Sequence, residues 1–391
     1  MTQWPQIEDT AAELIAEARA TTGIAIVDTD ALEPLTVLLD SLRKTAQFTP
    51  DGAVVKRRYI LRILRNRLRM QRDLAAHPEI LDIELLPPLL IIAMPRTGST
   101  KTQKVLAATG DFNALPYWMC LNSASESGIP NEDVRNRIAD VQAYADWFNE
   151  ASPDTKYGHP MAPHEPEEEA YIMNLSLRSR ALAGFANAAD YVSWLGTQDM
   201  GAQYRYLYDT LKYLMWQGLA DPAKPFLLKC VVNLGLEPEI RAAIPDVNIA
   251  VMHRNPVSVL PSASRLGTVF RAAFSDQAID MSKNPSRHAF AMKRHLAHRT
   301  AHPDQAFHDI CYDRVRTDIS AIIDGLYTFA GVEPSADTLS NIARWEAENP
   351  QNKHGAWSYA ATDFGFTDDD VRREFSTYID WVHANNICDW R

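Results

Sequence analysis

The stretch Leu89–Thr102, LLIIAMPRTGSTKT, constrains what this chain can fold into more than any other. Six successive apolar residues, Leu89 to Met94, read as a short and fully buried strand. A polar turn from Pro95 to Thr100 follows, with Gly98 inside it, and from about Thr100 the pattern through Val105 and Leu106 is helical. A buried strand, a tight turn and a helix N-terminus in that order aim N–H groups and the positive end of the helix dipole at one point. That arrangement makes an anion site. The plainer alternative is a turn whose serine and threonine only cap the helix.

A nucleoside-triphosphate loop has the pattern Gly-x4-Gly-Lys-[Ser/Thr]. The same spacing here is Ala93-x4-Gly98-Ser99-Thr100, with Ser99 at the lysine position. A cation, Arg96, stands instead at the leading edge of the turn. The expectation is a phosphate-like group held without the magnesium–triphosphate apparatus.

With 391 residues, 46% of them hydrophobic and 23% charged, the chain is globular and long enough for one large domain with appendages or for two domains. Its formal net charge of −11 argues against general nucleic-acid binding. The acidic N-terminus lacks a signal-peptide pattern. The longest apolar run, Leu85–Met94 with two prolines, falls far short of the about 20 residues that span a bilayer, so no transmembrane segment is expected. Four scattered cysteines without a Cys-x-x-Cys pair predict reduced thiols and a cytoplasmic setting.

Residues 1–85 read as a helical extension packed on the body, with a break at Thr22-Gly23. Within it, residues 56–72 hold eight basic residues and no acidic one, with Ile60, Leu64 and Leu68 among the apolar positions. Such a segment is a basic solvated face on a core-packed helix, a wall of an anion site, or a membrane-surface helix. Residues 86–391 form the α/β body. Strands are predicted at Phe112–Leu115, Phe226–Cys230, Asn248–Met252 and Ala306–Tyr312, alternating with helices, the last strand being followed by a helix to Ala330, which implies a parallel sheet covered on both faces. Arg96, Lys229 and Arg254 then gather at carboxyl ends of strands, where active groups collect in such folds. His288, His295, His298 and His302 recur at helical spacing, and a polar surface helix is preferred there over a metal cluster, so no metal site is assigned.

Arg254 and Ser262 lie eight residues apart, across a strand end and into the next helix, where both can reach one phosphate. The ordered set PRTGST, LLKC, HRNPVSVLPSAS, CYDRV and NKHG resembles the sulfotransferases that use 3′-phosphoadenosine 5′-phosphosulfate (PAPS), in particular bacterial ones with a PRTGTT-type loop. The likeness runs from about residue 10 to 385. It implies a P-loop-like three-layer α/β fold with a central parallel sheet and helical N- and C-terminal regions. It implies that Arg96, Thr97, Gly98, Ser99 and Thr100 hold the 5′-phosphosulfate, and that Arg254 and Ser262 hold the 3′-phosphate. By the same resemblance Lys229 steadies the transferring group, Tyr312 contacts adenine, and Lys353, His354 and Gly355 close over the 3′-phosphate end. The implied product is adenosine 3′,5′-bisphosphate (PAP), and the implied partner a small-molecule, lipid or glycan acceptor.

A general base must take the acceptor's proton. The sequence departs from its relatives here, since Val231 and Asn233 stand where histidines are found in other branches, and no glutamate follows the second strand in Pro116–Met119. The segment GHPMAPHEPEEEAYIMNL (158–175) supplies the remaining candidates. Pro166 and the glutamates after it also suit a helix first turn. His159 is preferred as base because histidine's ordinary pKa lies nearest neutrality, with His164, Glu165 and Glu167 as rivals. Tyr117, Trp118, Met119, Trp147, Phe148 and Tyr157 suggest an aromatic acceptor lining or plain core. An inactive PAPS-binding homologue and a small-molecule kinase are the competing readings.

Overall fold

The computed structural model describes residues 5–350 and 357–390. The chain divides into two compact units, one of Met1–Leu85, Pro116–Pro222 and Gly267–Ala278, the other of Leu86–Leu115, Ala223–Leu266 and Ile279–Arg391.

The second unit is built on a five-stranded, all-parallel sheet. Its strands are β1 (Leu89–Ala93), β2 (Asn113–Ala114), β3 (Phe226–Cys230), β4 (Asn248–His253) and β5 (His308–Cys311). Their order across the sheet is β2-β3-β1-β4-β5. All five residues of β1 are buried, as are all five of β3, because helices cover both faces. On one face Leu89, Ile91 and Ala93 pack with Leu227, Ala250 and Ile310 against Val105, Leu106, Ile323 and Leu326 from covering helices. At about 1.5–3 kcal/mol per fully buried Leu or Ile, this layer anchors the unit. β1 therefore sits between β3 and β4, and the chain leaves it toward one side of the sheet before crossing to the other. Open α/β sheets place their ligand crevices at such a switch point, beyond the strands' carboxyl ends.

The first unit is helical. Its longest element, helix Pro50–Ala76, starts where the Thr49 hydroxyl accepts from the Gly52 N–H at 3.0 Å, with Pro50 in the first turn. Helix Ala11–Thr22 packs on it and stops at Gly23, whose φ of 69° is left-handed. Not all eight cations of this segment are solvated. Arg67 is buried, pairing with buried Asp28 at 2.5 and 2.8 Å and donating to the Leu175 carbonyl. Lys56 is also enclosed and donates to the Leu182 carbonyl at 2.8 Å.

Several local expectations are corrected. Pro166 is held extended in an antiparallel bridge to Pro116, so the helix predicted to start there begins at Ala170 and runs only to Met173. The helix expected to run on to Ala330 is broken at Asp318, whose φ of −152° ends one helix and whose carboxylate caps the next. The expected reduced thiols are not all present, because Cys311 and Cys388 form a disulfide across 77 residues. Sequence spacing gave no sign that the end of β5 and the chain's C-terminal region meet. Cys120 and Cys230 are buried outside that bond. On helix Asn284–Ala301, His295 pairs with buried Glu237 at 2.8 Å and His298 with Gln305 at 2.9 Å. Among the described residues no helix is long and apolar enough to cross a membrane.

Burial pulls the Lys56 pKa from its ordinary 10.5 down to about 8. Below pH 8 folded and unfolded chains both hold this proton. Between pH 8 and 10.5 the folded chain has released it and the unfolded chain has not, so stability rises with pH in that window. Denaturant unfolding at pH 7.5 and 9.5 should give the native protein about 2 kcal/mol more stability gain than Lys56→Met. Parallel profiles for the two proteins would contradict the assignment.

Candidate functional site

The turn after β1 departs from ordinary backbone twice. Arg96 has φ of 66° and Gly98 has φ of 83°. A non-glycine residue in the left-handed region is strained by about 1–3 kcal/mol and persists where its surroundings fix it. Here the Arg96 carbonyl accepts from the Arg254 guanidinium at 2.6 Å, and the Arg96 Nε donates to the Ser262 hydroxyl at 3.0 Å. The buried Thr97 hydroxyl donates to the Met94 carbonyl at 2.9 Å and closes the turn from inside. Gly98 is the N-cap of helix Ser99–Thr109 and offers no side chain to close its first turn. A Cβ at Gly98 would lie 2.8 Å from the ring of Tyr312, so glycine is required by its neighbour as well as by its φ.

The neighbouring strands complete the cluster. β3 delivers Lys229, which is buried and places its Nζ 3.4 Å from the Thr100 hydroxyl. β4 ends in buried His253, and Arg254 follows directly. His253 Nδ1 meets the Tyr378 hydroxyl at 2.8 Å, and its Nε2 meets Asp309 at 2.9 Å. Arg299 grips that same carboxylate at 2.6 and 2.9 Å. Burial holds the His253 pKa below its ordinary value, so this residue acts as a neutral fastener for the strand end. The Arg254 guanidinium lies over the Tyr312 ring, 4.1 Å from its centroid, a cation–π contact.

Arg96, Thr97, Gly98, Ser99, Thr100, Lys229, Arg254, Ser262 and Tyr312 thus meet as one connected group. Burial, with the nearby Arg254 charge, holds the Arg96 pKa below its usual range. Such crowding of cations is relieved by an anion. Lys353, His354 and Gly355 lie outside the described residues. Sequence reasoning missed Trp357 and Arg265: the Trp357 ring lies 5.7 Å from both the Arg96 and the Arg265 guanidinium. No local sequence signal marks this contact, which joins residues 265 and 357 only through the fold.

In the other unit the residues named as base candidates differ in their surroundings. His159 Nε2 lies 2.6 Å from Glu167 Oε2. Glu167 is buried, and its other oxygen accepts the Glu168 N–H at 2.8 Å. Phe270 meets the His159 ring edge-on at 5.7 Å. His164 and Glu165 are exposed. Tyr117 was read only as a candidate aromatic lining. It is buried, its hydroxyl has no hydrogen-bond partner among the described residues, and burial raises its pKa well above the ordinary value. Trp118 and Phe148 are also buried, and Tyr157 is exposed.

Gly98→Ala should cost about 1–2 kcal/mol from the left-handed backbone alone, plus the overlap with Tyr312. In a Tyr312→Ala background the overlap part is relieved, so denaturant unfolding of the four proteins should yield a coupling above about 0.5 kcal/mol. Additive effects would mean that the ring is no obstacle.

Comparison with known proteins bears directly on this arrangement. A sulfotransferase structure from Mycobacterium avium, STF9, aligns with 96% of this chain and 98% of its own, at a TM-score of 0.82 and 21% identity. STF1 from Mycobacterium tuberculosis H37Rv aligns with 94% of this chain and 99% of its own, at a TM-score of 0.77 and 23% identity. At these identities the likeness establishes the fold. No curated protein matches the chain. A family profile described as "Sulfotransferase family" matches residues 87–337, which hold β1 through β5 and every described residue of the Arg96 cluster except Trp357. The chain belongs to the sulfotransferase family.

Proposed function

We propose that this protein transfers a sulfuryl group from PAPS to a hydroxyl of a small-molecule, lipid or glycan acceptor. The observation that carries this reading is the joining of two cationic seats through Arg96. One seat is the open first turn of helix Ser99–Thr109 with Thr100 and Lys229; the other is Arg254 with Ser262. A donor with a 5′-phosphosulfate and a separate 3′-phosphate matches two such seats. The donor set fits the group: two guanidiniums, a buried ammonium, hydroxyls, and a glycine whose Cβ would displace the neighbouring ring. PAPS would supply the activated sulfuryl group and a phosphate leaving group.

The chain's own residues position and neutralise. Arg96, Lys229, Thr100 and the turn N–H groups stabilise negative charge that grows on the leaving oxygen, a role in which pre-arranged donors are most effective. Arg254 and Ser262 fix the far phosphate, and Tyr312 offers a ring face for the adenine. His159 is the proposed base, taking the acceptor's proton on its ring, with Glu167 orienting the imidazole and stabilising it once charged.

A kinase reading is disfavoured, because Ser99 occupies the lysine position of a triphosphate loop and nearby Lys101 pairs with Glu346 at 3.0 Å. Calorimetric titration separates the classes. PAP should bind more tightly than ATP with magnesium, and Arg254→Ala should weaken PAP by about tenfold or more. Tighter, magnesium-dependent ATP binding would reverse the assignment. With labelled PAPS and an acceptor screen, His159→Ala should lower turnover at least about a hundredfold. Absence of transfer to every acceptor class would favour an inactive homologue.

A further inference from the structure

Helix Pro50–Ala76 carries a row of arginines that the proposed chemistry does not use. Arg58, Arg62, Arg65 and Arg69 are spaced by four, three and four residues, so they share one face. Together with Arg57 they line a cavity of about 530 Å³ within the helical unit. This volume lies inside the range of about 300–1,000 Å³ typical of small-ligand sites. Tyr144 and Trp147, on helix Val134–Ala151, contribute to the lining as well.

The charge in this cavity is unbalanced. Five guanidiniums line it with three carboxylates, Glu17, Glu126 and Asp140, and Arg57 is further neutralised by Asp9 at 2.7 and 2.8 Å, which leaves one cation in excess in a chain whose net charge is −11. Arg58 is exposed and has no ion pair among the described residues. Arg65 donates to the Thr21 hydroxyl at 3.1 Å and reaches Glu17 only at 4.0 Å. Arg62 pairs with Asp140 and Arg69 with Glu126, but the carboxylate side chains are 57% and 40% exposed. Both arginines are themselves largely buried, so these two pairs stay in place and the cations left for an incoming oxyanion are Arg58 and Arg65. Burial holds the Arg69 pKa below its usual range, and the Arg65 and Arg72 charges add to that. The aromatic side is built too: the Arg62 guanidinium lies 5.0 Å over the Tyr144 ring, and Tyr144 and Trp147 stack at 6.1 Å.

We infer that this cavity is a second ligand site, for a sulfate or phosphate monoester carried on a flat ring. Arg58 and Arg65 hold the oxyanion and Trp147 meets the ring. The concave shape favours a small molecule over an anionic bilayer, which needs its cations on an accessible outer face. None of the residues assigned to PAPS lines the cavity, so the inference stands or falls apart from that reading.

The test is calorimetric titration of the full chain with phenyl sulfate, phenyl phosphate and ring-free methyl sulfate. Saturable binding of one phenyl ester per chain is expected, with methyl sulfate weaker. Whichever phenyl ester binds more tightly identifies the oxyanion. Arg58→Gln with Arg65→Gln should weaken binding about tenfold or more, and Arg254→Ala should leave it unchanged. Arg58→Gln alone, at an exposed residue without an ion pair, should weaken binding in the same direction with unfolding unaltered. The proposal is overturned if no ester binds saturably, or if the arginine substitutions have no effect. It is equally overturned if Arg254→Ala abolishes binding, or if the substitutions reduce only binding to phosphatidylserine vesicles.

Discussion

Strand β1 must be buried on both faces, and most of what matters in the α/β unit follows from that requirement. A strand of five apolar residues needs helices over both its faces and a hydrogen-bonded neighbour along each edge, and β3 and β4 take the two edges. The carboxyl ends of three adjacent strands are then side by side. Lys229 and Arg254 each lie more than a hundred residues after Arg96 in the sequence, yet sheet pairing makes the three neighbours. The hydrogen bond from Arg254 to the Arg96 carbonyl then holds the turn in a conformation that its backbone would not choose unaided.

This logic explains which features were legible in the sequence. Continuous apolar runs mark strands buried on both faces, so β1 and β3 appear almost to the residue. The loop's anion-binding character follows from its order of strand, turn and helix. Glu167 was less legible. The helix suggested by Pro166 does not form there, because its backbone is engaged by Pro116, fifty residues earlier, and no local propensity encodes that bridge. The pairing of His159 with Glu167 is a product of that same extended segment. The break at Asp318 was written locally, in a residue well suited to cap the following helix, but the apolar periodicity on either side concealed it. Trp357 was passed over because an aromatic residue in a loop carries no signal of the guanidiniums that meet it.

The arginine-rich helix shows how one compositional signal can have several physical outcomes. Arg67 and Lys56 point inward and are satisfied by a carboxylate and by carbonyl oxygens, while Arg58, Arg62, Arg65 and Arg69 line a cavity. Counting charges along the segment could not divide these groups, because the division depends on the direction of each side chain around the helix. The acidic partners come from separate helices and loops. Composition described the helix; three-dimensional position assigned its parts.

The disulfide between Cys311 and Cys388 joins the residue before Tyr312 to the end of the chain. The 77-residue separation makes a covalent ring that includes the capping helix Ile319–Ala330 and the terminal helix Ser376–Ala384. A protease cutting anywhere inside the ring would open it without releasing a fragment. The tyrosine beside the anion-binding turn would stay attached to the C-terminal helices, as a molecule held in two pieces by one bond.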